Sequence, residues 1–117
     1  MAIPATRGKR LSVALPRPNV DYEQFVRPEA EFDLAEAYGY YQECRWGLGE
    51  DFILCVEEAL ERLNKNPHHY QEVHLQVRRA LVHRFPYGIF YVVMENRIIV
   101  IAVLHEARNP ERWQSRI

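Results

Sequence analysis

Residues 87–105, YGIFYVVMENRIIVIAVLH, constrain the fold more than any other part of the chain. They read as two antiparallel strands joined by a turn at Glu95-Asn96, the polar pair that interrupts an otherwise apolar run. Successive side chains of an extended chain point to opposite faces, so Tyr87, Ile89, Tyr91 and Val93 share one face and Gly88, Phe90, Val92 and Met94 the other. Both faces are apolar, and both therefore need cover. Residues 77–85, VRRALVHRF, add a third strand to this meander. One face can be assigned to helices. The other has no remaining element large enough to cover it except the C-terminal tail, so part of it is expected to stay open to a partner.

The helices lie upstream. Residues 22–26 alternate well enough for a short edge strand, and Pro28 then stands where the first turn of a helix tolerates it. Ala30, Leu34, Ala37, Tyr38, Tyr41 and Cys44 recur at spacings of three and four, which is one face of a helix. The segment WGLG breaks the pattern. A second helix follows, with Glu50 and Asp51 in its first turn, where the helix dipole favours acids, and a stripe of Phe52, Cys55, Val56, Ala59, Leu60 and Leu63. Asn66-Pro67 ends it, giving an antiparallel helical hairpin. Helices first and strands later predict an α+β domain in which the hairpin packs on a small twisted antiparallel β-sheet.

A length of 117 residues indicates one domain, large enough to bury a core unaided. The longest uninterrupted apolar run, residues 98–104, falls far short of the ~20 residues that a membrane-spanning helix needs. Cys44 and Cys55 lack a C-x-x-C spacing and sit on apolar helical positions, so both are expected to be inert core thiols, which suits a reducing cytoplasm. His68, His69 and His74 straddle an expected loop with no nearby Cys or Asp to complete a metal site, so neither metal nor cofactor is expected.

Charge is distributed unevenly: residues 1–20, 21–61 and 62–117 sum to +4, -10 and +5. Two accounts stand, one in which helices take solvating Glu while strands and tail take Arg, and one in which a basic face meets an acidic partner. Residues 1–20 hold Arg7, Lys9, Arg10 and Arg17, no acid and three prolines, and read as a flexible basic arm ahead of a domain over residues 21–117. The arm lacks the apolar stretch and cleavage site of an export signal.

The order F-x-R-P-E-A-E-x-D-L-A-E-A, W-G-L-G-x-x-F, N-P, R-R-A-L-V-H-R-F-P-Y-x-I-x-Y and I-x-V-x-A-V-L-H-E-x-R-N-P-x-x-W resembles the RelE/ParE superfamily of type II toxin-antitoxin toxins. The resemblance implies a helical hairpin on a small sheet, neutralised by a cognate antitoxin that wraps the toxin with a helix and a strand, in a toxin-antitoxin hetero-oligomer. It also implies one of two targets. RelE-like members cleave mRNA on the ribosome with clustered basic residues and an acid/base group; ParE-like members poison DNA gyrase without catalysing a reaction. RNA-cleaving relatives carry a basic residue where this chain has Gly88, a second basic residue where it has Leu81, and a Gly-Lys-Arg type segment where it has LHEARNP. The V-L-H-E-x-R ending is closer to the ParE-like branch, which implies gyrase as the target; the alternatives are the ribosome and mRNA, or an inert relative that only binds its antitoxin.

Were the chain a nuclease, the candidate catalytic residues would be Arg79, Arg84, His105 and Arg108. His105 would be the general base, although a His at this place also caps a strand end. The candidate target-binding residues are His105, Glu106, Arg108, Arg112 and Trp113; Trp113 is either an interface anchor or folds back on the core. Candidate antitoxin-binding residues are Phe90, Val92, Met94 and Arg78. No membrane partner is expected. Deleting residues 1–19 is expected to leave the melting temperature and antitoxin affinity unchanged, because the arm offers little apolar surface to bury; a large fall in either would show that it packs on the domain.

Overall fold

The two apolar strands lie at the centre of a five-stranded sheet. The computed structural model describes residues 22–107 and 110–116; the arm expected over residues 1–20, and Arg108 of the tail, lie outside them. In chain order the elements are β1 (Glu23–Val26), α1 (Pro28–Cys44), α2 (Leu48–Lys65), β2 (Glu72–His74), β3 (Val77–Leu81), β4 (Tyr87–Met94), β5 (Arg97–His105) and a one-turn α3 (Glu111–Gln114). The strand order is β1-β5-β4-β3-β2.

Strands β2 to β5 pair antiparallel, as the meander requires, but β1 runs parallel to β5, so the sheet is mixed and not purely antiparallel. No tight turn joins β1 to a neighbour. A long crossover permits the parallel pairing, which is closed by Glu23 N–H donating to Asn96 O at 2.9 Å and Arg27 N–H to Val100 O at 3.0 Å. Two further expectations are corrected. The strand over residues 77–85 stops at Leu81, because the chain must turn through a left-handed Arg84 (φ 74°) to enter β4. The expected loop around the histidines instead forms a 3-10 turn at Pro67–His69 and then β2, whose side-chain anchor is described below.

Pro28 opens α1 with Glu29 and Glu31 in its first turn, as the dipole favours. At the far end, Gly47 adopts φ 91°, and Gln42 Oε1 accepts hydrogen bonds from Gly47 N (3.0 Å) and Gly49 N (2.8 Å), so a side chain of α1 caps the N-terminus of α2. Gly49 lets the helices touch here: a Cβ would lie 2.8 Å from Tyr38 O and 2.7 Å from Gln42 Cγ. Cys55 is buried, but Cys44 is exposed, against expectation. It is the last residue of α1, where the chain leaves the helix for the turn, and the apolar stripe in effect finishes at Tyr41.

The hairpin buries Leu34, Phe52, Val56 and Leu63 against Ile89, Tyr91, Ile98 and Val100. Tyr91 donates its hydroxyl to Pro67 O at 2.6 Å, and burial raises the pKa of this phenol. Opposite Phe90 and Tyr91, β5 carries a bulge that puts Ile101 and Ala102 together on the second face and returns Val103 to the first.

The same stretch of β5 loses its other neighbour, because β1 turns into α1 after Val26. Asp33 of α1 replaces it. Its buried carboxylate accepts from Val103 N (3.1 Å) and from Arg116 Nη1 (2.7 Å) and Nη2 (3.2 Å), while Arg116 Nη1 also donates to Ile101 O at 3.0 Å. The Asp33 hydrogen bond raises the pKa of the Arg116 guanidinium against the opposing effect of burial. Arg27 in turn donates to Arg116 O at 2.9 Å. Breaking a buried pair strands the surviving charge, so Asp33→Ala or Arg116→Ala is expected to cost about 3–5 kcal/mol in denaturant unfolding. The double variant should cost clearly less than the sum; additive losses would refute the pairing.

Candidate functional site

The pinned C-terminus brings the candidate residues to the end of β5. With Arg116 fixed, α3 lays the Trp113 indole on Phe90, their rings stacked at 4.7 Å and 20°. Trp113 is 6% exposed. Of the two readings open for it, folding back on the core is therefore the one realised: the tail supplies the cover that the second apolar face required. It does so over half of that face. Phe25, Ile99 and Val92 stand in cross-strand register, with Met94 in the next row; Ile99 and Val92 pack against the Trp113 cluster, but Phe25 is 38% and Met94 55% exposed, and Arg97 lies 5.8 Å over the Phe25 ring.

Between α3 and the sheet a groove of about 230 Å³ is lined by Arg79, Gly88, Phe90, His105, Glu106 and Trp113 among others. Arg79 pairs in register with Phe90 and faces this side. Its stem crosses Gly88, where a Cβ would meet Arg79 Cγ and Cδ at 3.1 Å, so the missing side chain of Gly88 makes room for the arginine. No carboxylate among the described residues pairs with the Arg79 guanidinium.

His105 ends β5 with its ring edge-on to Tyr87 at 5.4 Å, and its Nδ1 accepts the Ala107 N–H at 3.0 Å. The acceptor nitrogen of the neutral imidazole is thus already used, leaving Nε2 to carry the proton. This is the strand-capping role. Glu106 N–H donates to Pro86 O at 2.8 Å and fastens the strand end to the start of β4, while its side chain and that of Arg112 are exposed.

The remaining candidates point elsewhere. Arg84 lies in the loop before β4, 3.9 Å from Asp51 of α2 and 5.5 Å from the Phe85 ring, and does not line the groove. Arg78 pairs in register with Tyr91, on the helix-covered face, and its guanidinium donates to the carbonyls of His68 and Tyr70 and to Glu72 Oε2 at 3.2 Å. It anchors the Pro67–His69 turn to β2. Arg78 therefore shares no surface with Phe90, Val92 and Met94. Arg79 and His105 are brought together; Arg84 is not, and Arg108 lies outside the described residues. Asp33 and Arg116 escaped the sequence reading, although an acid amid the stripe of Ala30, Leu34 and Ala37 was a signal that something must pair with it.

Trp113→Ala is expected to remove about 3 kcal/mol of stability, as for other large aromatics truncated against a core, and to increase binding of an apolar dye as Phe90 is uncovered. Stability near that of the parent chain would mean that the indole is not seated there.

Residues 25–110 match the family model for the ParE toxin of type II toxin-antitoxin system, parDE. Among solved structures, the chain is similar to the chromosomal ParDE TA system from P. aeruginosa, with a TM-score of 0.61 and 18% sequence identity over 68% of this chain and 90% of that one. At that identity the likeness concerns the fold. No curated protein sequence gives a significant match. The family match spans most of the chain, from within β1 to the residue before α3, and the chain belongs to the ParE toxin family of type II toxin-antitoxin systems.

Proposed function

We propose that this chain is a toxin directed at DNA gyrase and held silent in the cytoplasm by a cognate antitoxin. The observation that supports the reading is that, of the nuclease candidates among the described residues, Arg79 and His105 share a groove while Arg84 lies apart from it. A phosphoryl-transfer site needs several cations around one phosphate and a free general base. Here Arg84 is turned toward Asp51, Gly88 contributes no side chain, and the acceptor nitrogen of His105 is bound to Ala107. A poison that acts by binding needs none of these. The tail side chains Glu106 and Arg112 then serve as a contact surface around the rim of the groove.

The antitoxin reading rests on the open half of the second sheet face. Phe25, Val92, Ile99 and Met94 form an apolar row that the chain leaves partly uncovered, suited to a partner helix or strand. Among the described residues no helix is long and apolar enough to cross a membrane, which is compatible with a cytoplasmic site of action.

The second reading, a ribosome-dependent mRNA endoribonuclease, keeps one point in its favour: Arg79 and His105 line the same groove. Paired assays separate the two. Purified toxin is expected to inhibit supercoiling and trap gyrase-dependent DNA breaks while leaving mRNA on translating ribosomes intact, and coexpression with the antitoxin encoded beside it should abolish both toxicity and breaks. Codon-dependent mRNA cuts that disappear in Arg79→Ala or His105→Ala, with gyrase unaffected, would replace this reading with the nuclease. Antitoxin binding with neither activity would identify an inert relative.

A further inference from the structure

His105 has a second surrounding. On the helix side of the same strand end, a cleft of about 590 Å³ opens between α1 and the start of β4, and His105 lines it together with Glu36, Tyr40, Tyr41 and Tyr87. The rings form a continuous wall: Tyr40 to Tyr41 at 5.2 Å, Tyr41 to Tyr87 at 6.0 Å and Tyr87 to His105 at 5.4 Å. Cys44, one turn further on, raises the pKa of the Tyr40 phenol. No lysine or arginine among the described residues lines the cleft.

The carboxylates come from one side of α1. Asp33 forms the floor, and its charge is already matched by Arg116. Glu36 lies three residues further along, so it projects from the same helix face, and it stands exposed beside Tyr40 with no hydrogen-bond or ion-pair partner among the described residues. The Asp33 carboxylate is thus neutralised by a guanidinium that does not itself line the cleft, while Glu36 and the aromatic faces meet no cation there. Carboxylate and π-faces both attract a cation, and a planar guanidinium can bond the first while stacking on the second. An anionic group would meet Glu36 unfavourably, and an apolar one would bury that carboxylate without a partner.

We propose that this cleft receives an arginine side chain from a protein partner, its guanidinium paired with Glu36 and stacked against the Tyr40–Tyr41 wall. The occupant is set by charge complementarity, and the inference stands on the cleft itself, independent of whether the toxin acts on gyrase or mRNA. Partner binding at this cleft and at the groove of Arg79 would meet at His105, which lines both.

The test uses the full chain, made by cell-free synthesis and labelled for NMR, titrated with capped Ala-Arg-Ala and with the same peptide carrying citrulline, which keeps the shape and loses the charge. Binding of the arginine peptide is expected to shift resonances of Glu36, Tyr41 and His105, with an affinity about tenfold above that of the citrulline peptide. Glu36→Gln should erase this preference without moving the melting temperature, and Tyr40→Ala should weaken both peptides. Equal binding of arginine and citrulline, shifts confined to the acidic surface of α2, or an arginine preference that survives in Glu36→Gln would each overturn the proposal. None of these readouts depends on gyrase or ribosome activity, so failure here is distinguishable from failure of the functional reading.

Discussion

The Asp33 carboxylate lies where three parts of the chain would otherwise come apart. Strand β1 must leave the sheet to become α1, and in leaving it deprives β5 of hydrogen-bond partners over the residues that carry the bulge. A buried amide or carbonyl left unpaired costs about 1–3 kcal/mol. Asp33 answers the Val103 amide directly and the Ile101 carbonyl through Arg116. Because Arg116 comes from the far end of the chain, the repair of a sheet edge also anchors the tail; because the tail is anchored, α3 holds Trp113 against Phe90. An edge defect in the sheet thereby sets the geometry of the groove that contains Arg79 and His105.

The bulge has a second consequence. Without it, strict alternation along β5 would put Ala102 and Leu104 on the helix side with Ile98 and Val100, and Val103 on the other. With one extra residue the phase reverses after Ile101, so Leu104 joins Phe90 and Trp113 while His105 comes beside Tyr87. The histidine is therefore delivered to the rim, where it lines both the groove under α3 and the cleft under α1.

What was legible in the sequence follows the range of the physics involved. The 3.6-residue stripe of α2 and the twofold alternation of β4 are local, and both match the buried sets found. The need for a cover on the second face was also legible, since it required only that Phe90 and Val92 be apolar; Trp113 was the large side chain within reach. The parallel placement of β1, the short β2 and the bulge were not legible, because each depends on which backbone groups meet across the sheet. Arg78 shows the same limit. Its sequence neighbourhood suggests a basic surface beside Arg79, yet alternation sends it to the opposite face, where two carbonyls and Glu72 take up its donors. Cys44 failed for a geometric reason: periodicity continues to the last residue of a helix, whereas cover need not.

Apart from arginines such as Arg78 and Arg116, whose donors are taken up within the fold, the uneven charge of the sequence leaves two contrasting kinds of arginine. Arg45 and Arg84 each lie 3.9 Å from Asp51 of α2, long contacts by exposed arginines of the sort that contribute little. For these the bland account holds, in which acidic helices and basic loops solvate and loosely pair with each other. Arg79 differs, since it sits in a groove, has its stem positioned by Gly88, and finds no acid among the described residues. Glu36 is its counterpart of opposite sign on the other side of His105. A partner that crosses this strand end therefore meets a cation in one groove and a carboxylate in the other, about a histidine whose acceptor nitrogen is committed to Ala107. Such an arrangement orients a bound chain by the order of its charges.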